Sequence, residues 1–274
     1  MKALLRVLTT LLSVAGPLFA AHPFQVEDLQ KLSRISGPQI SPDGKWVAFT
    51  VTRSDLPKNK LVTNVWIVAA SGGDPRQLTF GEEGFDGNVR WSPDGQYLYF
   101  LSSRVNNKQQ VFRLPIFGGE ARQITNVPTG VAGYVLSPDG QTLAIVARVF
   151  PSCPDMACNQ MRSQERADNP VKVRVIAEMP FRRWDTWVDG QRNHIFTMSS
   201  EGGPATDVTP GDVDSPIWTE DGTEEVAFSP DSREICFSRY VENEALTGNS
   251  DLFAMPVNGG APVRHSNKTQ PKEY

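Results

Sequence analysis

Residue types that could carry out hydrolysis are sparse in this 274-residue chain. A serine nucleophile needs a histidine base with an orienting carboxylate, and it often stands in a G-x-S-x-G turn. That motif is absent, and the three histidines are His22, His194 and His265. None of them lies in a strand–turn–helix context typical of hydrolases. The sequence therefore predicts no catalytic residue in this chain.

Two of the three cysteines, Cys153 and Cys158, lie close together in sequence. In an oxidising compartment this pair could close a small disulfide loop. The alternative is a zinc site, but that needs a second pair of Cys or His ligands, which is missing. Cys236 lies in a strand-like run and is expected to be a small core residue. We expect no metal site and no cofactor.

The most suggestive polar and aromatic cluster is Arg182, Arg183, Trp184 and Asp185, followed closely by Trp187. In a functional interpretation, these residues bind a peptide substrate, with an acidic group holding its free amino terminus. In a structural interpretation, the two tryptophans pack between repeats and Asp185 bonds to a neighbouring loop. The structural interpretation is favoured, because buried aromatic residues in repeat proteins usually belong to the core.

Composition excludes several classes of protein. Charged residues make up 21% of the chain and hydrophobic residues 39%, with a formal net charge of -4. These values are typical of a soluble globular protein. A nucleic-acid partner would require a clustered basic face, which the sequence lacks. Acidic residues at Glu82, Glu83 and Asp86 are expected to form a solvated loop.

Residues 1–20 have the pattern of a secretory signal peptide. Lys2 and Arg6 precede an apolar run at 7–19, and Ala20 supplies a small residue for cleavage. An uncleaved membrane anchor is the alternative, but the run is short for a membrane span. We expect a mature chain starting near Ala21, located in the periplasm or outside the cell, with no stable membrane insertion.

A repeat organises the rest of the chain. Ser-Pro-Asp-Gly begins at residues 41, 92 and 137, and Ser-Pro-Asp-Ser begins at 229. Each copy is followed by a strand-like run, a second such run and a Gly-Gly pair. Proline, aspartate and glycine of the tetrapeptide suit a tight turn, and the Gly-Gly pair suits another. Each unit therefore predicts four antiparallel strands, which is the content of one propeller blade.

These units predict an all-β chain that folds as an incomplete β-propeller of about four blades. The blades are expected within 36–264, at 36–80, 86–126, 132–210 and 223–264. The third contains an insertion at 151–178, which should project from one face, where function tends to lie. A segment with a short helix (21–35) precedes the blades. No Leu-Thr pair follows Gly259-Gly260, so 265–274 is expected to be a tail.

The repeat resembles that of TolB-like propellers and of the prolyl oligopeptidase family. Three segments favour the secreted bacterial dipeptidyl-peptidases of that family: 24–29 with 40–49, 150–158, and Phe-Arg-Arg-Trp-Asp-Thr-Trp-Val-Asp-Gly at 181–190. The resemblance covers nearly all of 24–264. It implies about seven blades and a C-terminal α/β-hydrolase domain that carries serine, aspartate and histidine.

The resemblance leads to two hypotheses. In the first, the chain is the propeller part of an exported serine dipeptidyl-peptidase, which meets peptide substrates through a hydrolase domain absent from these residues. The propeller would then gate access to the active site, and the chain would be a fragment without activity of its own. In the second, the chain is a non-enzymatic TolB-like propeller that binds a protein partner in the cell envelope.

Overall fold

The computed structural model describes residues 23–176, 179, 181–217, 225–241 and 248–266. The signal peptide predicted at 1–20 lies outside them. The chain divides into two compact units, residues 1–32 and 33–274. The first contains helix α1 (Val26–Lys31), at whose start the Gln25 N–H donates to the Asp28 carboxylate. Within the described ranges, no helix is long and apolar enough to cross a membrane.

The second unit is built from β-strands in four repeats, here called blades. Blade 1 contains β1 (Arg34–Ile40), β2 (Trp46–Asp55), β3 (Lys60–Ala69) and β4 (Arg76–Gln77). Blade 2 contains β5 (Gly84–Trp91), β6 (Tyr97–Ser102), β7 (Gln110–Pro115) and β8 (Arg122–Gln123). Blade 3 contains β9 (Gly133–Leu136), β10 (Thr142–Val149), β13 (Arg192–Ser199) and β14 (Thr206–Asp207). Blade 4 contains β15 (Val226–Phe228), β16 (Glu234–Tyr240), β17 (Ser250–Pro256) and β18 (Val263–Arg264).

Between β10 and β13, blade 3 carries an insertion. It contains helix α2 (Met156–Asp168) and a hairpin of β11 (Arg182–Arg183) and β12 (Thr186–Trp187). Neighbouring strands within each blade are antiparallel, so the prediction of a mostly β chain with four-stranded antiparallel sheets is confirmed. One pairing was not expected: β3 and β5 run parallel over Val62 with Gly84 and Thr63 with Phe85, which links blades 1 and 2.

The serine of the repeated turn has a role that the sequence pattern did not suggest. The Ser41 hydroxyl donates to the Asp43 carboxylate at 2.6 Å and accepts the Trp46 N–H at 2.9 Å. The other three turns repeat both bonds. Donation from the hydroxyl lowers the pKa of the aspartates Asp43, Asp94, Asp139 and Asp231. The serine and aspartate side chains therefore help to close the turn, in addition to the proline and the glycine.

The near copy in blade 4 keeps the same turn without glycine. Ser232 takes the glycine position with φ of 63°, a left-handed conformation that costs a non-glycine residue free energy. Its hydroxyl accepts the Asp139 N–H from the turn of blade 3 at 3.1 Å. This bond between blades helps to offset the conformational cost.

A hydroxyl also joins the third and fourth strands of every blade. The Thr125 hydroxyl accepts the Val111 N–H at 2.9 Å and donates to the Gln110 side chain at 2.8 Å. Thr79 and Thr209 accept equivalent N–H groups in blades 1 and 3. Blade 4 has no Leu-Thr pair, but His265 and Ser266, in the segment expected to be a tail, take its place. Serine supplies the same hydroxyl as threonine. The lack of a Leu-Thr pair in blade 4 therefore does not mean that the blade ends before His265.

The hydrophobic core lies between successive blades. In β6, Leu98 and Phe100 pack towards blade 1, while Tyr99 and Leu101 pack towards blade 3. The strand β10 alternates in the same way between blades 2 and 4. Because both faces of an inner blade are buried, its central strands are apolar throughout instead of alternating with polar residues.

The acidic loop predicted near Glu82 is only partly solvated. Glu83 is exposed and pairs with Lys60 at 2.7 Å. Asp86 is instead buried in β5, where it accepts the Ser102 hydroxyl at 2.6 Å and pairs with Arg104 at 2.7 Å. The expectation of solvation is wrong for Asp86, because a buried carboxylate is stable when charged and polar partners surround it.

Candidate functional site

The two ends of the blades carry different turns and loops. Since neighbouring strands are antiparallel, the Ser-Pro-Asp-Gly and Gly-Gly turns lie at one end, the turn end. The connection between the second and third strands of each blade lies at the opposite end, the insertion end. The insertion in blade 3 is therefore at the insertion end, together with the loop 210–217 that follows β14. Long insertions on a rigid scaffold are common places for binding.

The start of the insertion is held rigidly. Cys153 and Cys158 are joined by a disulfide, and the Asp155 carboxylate caps α2 by accepting the Cys158 N–H at 2.8 Å. Asn159 is buried, and its side chain bridges the Phe150 N–H and the Asp155 carbonyl. These contacts fix α2 directly on the end of β10.

The hairpin β11–β12 separates the two arginines that the sequence analysis grouped. Arg182 faces Trp187 across the hairpin and Arg183 faces Thr186, so the two guanidinium groups point to opposite faces. Arg183 is nearly buried and pairs with Asp214 at 3.2 Å, with both side chains 11% exposed. Arg183 therefore anchors the hairpin, whereas Arg182 remains exposed and lies 5.5 Å from the centre of the Trp187 ring.

The tip of the hairpin is Trp184 and Asp185. Trp184 adopts a φ of 50° and is 81% exposed. The expectation that it packs between blades is wrong, because a two-residue turn between such short strands projects its side chains into solvent. Asp185 is exposed and accepts the Thr186 hydroxyl at 3.1 Å, with no bond to a neighbouring loop among the described residues. An exposed indole on a fixed turn is available to contact a ligand or another domain.

A cluster around Trp187 was missed from the sequence. The Phe181 ring packs against the Trp187 ring in a tilted arrangement with ring centres 6.1 Å apart, and the Arg174 guanidinium lies 4.5 Å from the centre of the Trp187 ring. Arg148, on β10, donates to the carbonyls of Trp187 and Val188. Burial lowers the pKa of Arg148, and the nearby Asp214 carboxylate opposes that effect. No spacing in the sequence signals this cluster, because Arg148 and Arg174 lie on separate elements.

Beside α2 lies a cleft of about 650 Å³. Asp189 accepts bonds from both Arg166, at 2.6 Å, and Arg174, at 3.0 Å. Arg162 lies over the Phe150 ring at 4.9 Å. We call this cavity the basic cleft. The charged residues of its lining are Arg162, Glu165, Arg166, Lys172, Arg174, Asp189, Arg192 and Asp212. With five cations against three carboxylates among these described residues, it suits a ligand that carries a carboxylate.

The two histidines in the described part of the chain are not placed for nucleophilic catalysis. His194 is buried, with Nδ1 2.6 Å from an Asp207 carboxylate oxygen and Nε2 2.8 Å from the Gly211 carbonyl oxygen. Both ring nitrogens are therefore occupied, and His194 joins β13 to β14 as a structural group. His265 directly follows β18, and its backbone N–H donates to the Leu252 carbonyl; His22 lies outside the described residues.

Comparison with known proteins agrees with this architecture. Residues 26–166 match the family model described as the TolB beta propeller domain. Dipeptidyl-peptidase 5 of Porphyromonas endodontalis is 27% identical over 95% of this chain and 39% of its own length. An uncharacterized peptidase of Bacillus subtilis, YuxL, is 25% identical over 84% of this chain and 33% of its own length.

Among solved structures, acylaminoacyl peptidase of Pyrococcus horikoshii superposes with a TM-score of 0.62 at 15% identity, over 90% of this chain and 34% of that one. The chain thus spans between a third and two-fifths of the length of the relatives that it matches. It belongs to the TolB β-propeller domain family, and over most of its length it is homologous to the propeller region of dipeptidyl-peptidase 5 and related peptidases of the prolyl oligopeptidase family.

Proposed function

We propose that this chain is the propeller part of an exported serine peptidase of the dipeptidyl-peptidase type. A separate α/β-hydrolase domain would supply the serine, the histidine and the aspartate. The propeller would admit short, flexible peptides to the active site and exclude folded proteins. Its insertion end would contact the substrate.

One observation carries the proposal: the alignment with dipeptidyl-peptidase 5 extends over 95% of this chain but only 39% of the relative. A propeller alone accounts for that share. The chain's own chemistry agrees, because its sequence lacks the G-x-S-x-G turn and His194 is committed to Asp207 and Gly211.

The insertion end supports a role in substrate positioning. The hairpin exposes Arg182, Trp184 and Asp185, and the ion pair of Arg183 with Asp214 anchors its other face. A rigid base with exposed charged and aromatic groups loses little conformational entropy when it binds a peptide. The hairpin would contact the peptide, and the adjacent basic cleft would attract its carboxylates.

Export is part of the proposal. It is supported by the pattern of residues 1–20 and by the Cys153–Cys158 disulfide, since such bonds persist in oxidising compartments. The protein would then work in the periplasm or outside the cell.

The test is to determine the reading frame beyond the codon for Tyr274 and to express its full product. We expect that product to release dipeptides from a dipeptidyl chromogenic substrate. The segment from residue 21 to residue 274, expressed as a matched control, should release none. A full product without hydrolytic activity that captures a specific envelope protein would instead support the TolB-like binding hypothesis.

A further inference from the structure

A second cavity lies on the other face of α2. Its volume is about 540 Å³. One wall is a single helical face, formed by Gln160, Ser163, Gln164 and Ala167, because residues three and four apart share a face. The opposite wall comes from two loops of blade 2, at 105–108 and 126–129. The helix therefore separates this cavity from the basic cleft.

The lining of this second cavity is dominated by carboxamides. The seven described ones are Asn106, Gln110, Gln123, Asn126, Gln160, Gln164 and Gln191. No carboxylate and no aromatic ring belongs to the described lining, and its one cation, Lys108, donates to the Pro128 carbonyl. We call this cavity the amide pocket. A carboxamide offers both donors and an acceptor without charge.

Three of these carboxamides are already committed to the protein. Gln110 bonds to the Val127 main chain and to Thr125. Gln123 donates to the Thr125 carbonyl at 2.7 Å. Gln164 donates to the Asp168 carboxylate at 2.9 Å. These bonds hold part of the pocket in a fixed arrangement.

The remaining polar groups are available. The side chains of Asn106, Asn126 and Gln160, which are exposed, and of Gln191, which is half-buried, have no hydrogen-bond partner within the described part of the chain. The Thr129 hydroxyl, also in the lining, is buried and has no partner there either. Buried polar groups are normally hydrogen-bonded, so the unpaired Thr129 hydroxyl points to a ligand, and the four carboxamides near it can exchange water for that ligand.

We propose that the amide pocket binds the main chain of an internal peptide segment through hydrogen bonds to its N–H and C=O groups. A peptide main chain presents alternating donors and acceptors, which complement carboxamides. The described lining has no carboxylate to pair with a peptide's ionised amino terminus, and its one cation, Lys108, is bonded to the Pro128 carbonyl. The lining also has no aromatic face on which a sugar ring could stack. The cavity size lies in the range of small-ligand sites.

This inference rests on the proposed function, since it names the part of a peptide substrate that the insertion end recognises. Such recognition would be independent of side-chain sequence. It would also be independent of the basic cleft, which attracts carboxylates across the other face of α2.

The test is ligand-observed NMR on the 274-residue chain with N-acetyl-tetraalanine-amide, which has no charge. We expect saturable binding with a Kd at or below about 1 mM, unchanged in 0.5 M sodium chloride. The same peptide with N-methylated main-chain nitrogens should bind at least about 10-fold more weakly, because it cannot donate. Maltotetraose should show no saturable binding.

Substitutions in the lining test whether the peptide binds in the amide pocket. Gln160→Ala and Gln191→Ala should each weaken binding by about 3- to 10-fold, the effect of one lost hydrogen bond. Gln141→Ala, an exposed glutamine at the turn end, is the matched control and should bind as the parent does. The thermal melts of all three variants should match that of the parent, which shows that they are folded.

Absence of binding, equal binding of the N-methylated peptide or of the sugar, or equal binding by the three glutamine variants would each overturn the inference. Its failure is distinct from that of the proposed function. Peptide binding by this chain does not require catalysis, and dipeptidyl hydrolysis by the full product does not require the amide pocket.

Discussion

Replacing Arg183 should destabilise the insertion end far more than replacing its neighbour Arg182. In the parent, the Arg183 guanidinium pairs with Asp214 at 3.2 Å, and both side chains are 11% exposed. The other oxygen of Asp214 accepts the Asn193 N–H at 2.7 Å. Arg183→Ala would leave a nearly buried carboxylate without its paired charge. Arg182→Ala would remove only an exposed contact with the Trp187 ring.

The magnitude follows from burial. Removing one partner of a buried ion pair costs about 3–5 kcal/mol. The remaining solvent contact and the charge of Arg148, which interacts with Asp214, reduce the expected loss in unfolding free energy to about 2–4 kcal/mol. That corresponds to a fall in Tm of roughly 4–16 °C for a domain of this size. Arg182→Ala should lose about 0.5–1 kcal/mol.

Urea unfolding followed by tryptophan fluorescence measures the difference. Hydrogen exchange of peptides covering 181–193 detects any loss confined to the hairpin. If Arg183→Ala and Arg182→Ala were equally stable within about 0.5 kcal/mol and exchanged equally, Arg183 would not anchor the hairpin.

Three further predictions concern the blades. Thr125→Val should cost about 1–3 kcal/mol in urea unfolding, because it leaves the buried Val111 N–H unpaired and removes one of the bonds to the Gln110 carboxamide, while the exposed Ser71→Ala should change nothing; equal stability of the two would remove the proposed role of the hydroxyl. The pKa of Glu201 is lowered by its bonds to arginines of blade 2, so its contribution is present above the ordinary carboxyl pKa and is lost as pH falls through the lower folded value. Glu201→Gln should therefore flatten the loss of urea stability between pH 6 and pH 3, and an unchanged pH dependence would contradict this. Gly140→Ala should cost more in Tm than Gly44→Ala, because both have positive φ but only at Gly140 would the new Cβ lie 3.0 Å from a proline ring carbon; equal costs would show that this contact relaxes freely.

The repeat made the blades predictable, because turn chemistry is local. Ser-Pro-Asp-Gly and Gly-Gly fix where the chain reverses, and hydrophobic runs between them supply strands. His265 and Ser266 make the bonds that a Leu-Thr pair makes in other blades despite a different sequence, so the repeat pattern does not reveal them. What the blade requires there is one hydroxyl and one backbone N–H, and serine provides the hydroxyl.

The candidate site was only partly predictable. The sequence singles out Arg182, Arg183, Trp184 and Asp185 as one cluster, but the hairpin separates them, and their different environments depend on pairing between two-residue strands. The nearly buried Arg183 is paired with Asp214, which lies 31 residues further along the chain. Such long-range partners leave no periodic signal in the sequence. The exposure of Trp184 likewise depends on the turn geometry and not on its hydrophobicity.

The most direct test of the central claim is fluorophosphonate labelling of the full gene product, followed by mapping of the modified residue. Fluorophosphonates react with serines that a neighbouring base activates. We expect labelling at a serine beyond residue 274, within a G-x-S-x-G turn, and no labelling of the 274-residue chain alone. A full product without a reactive serine, or with one inside these 274 residues, would contradict it.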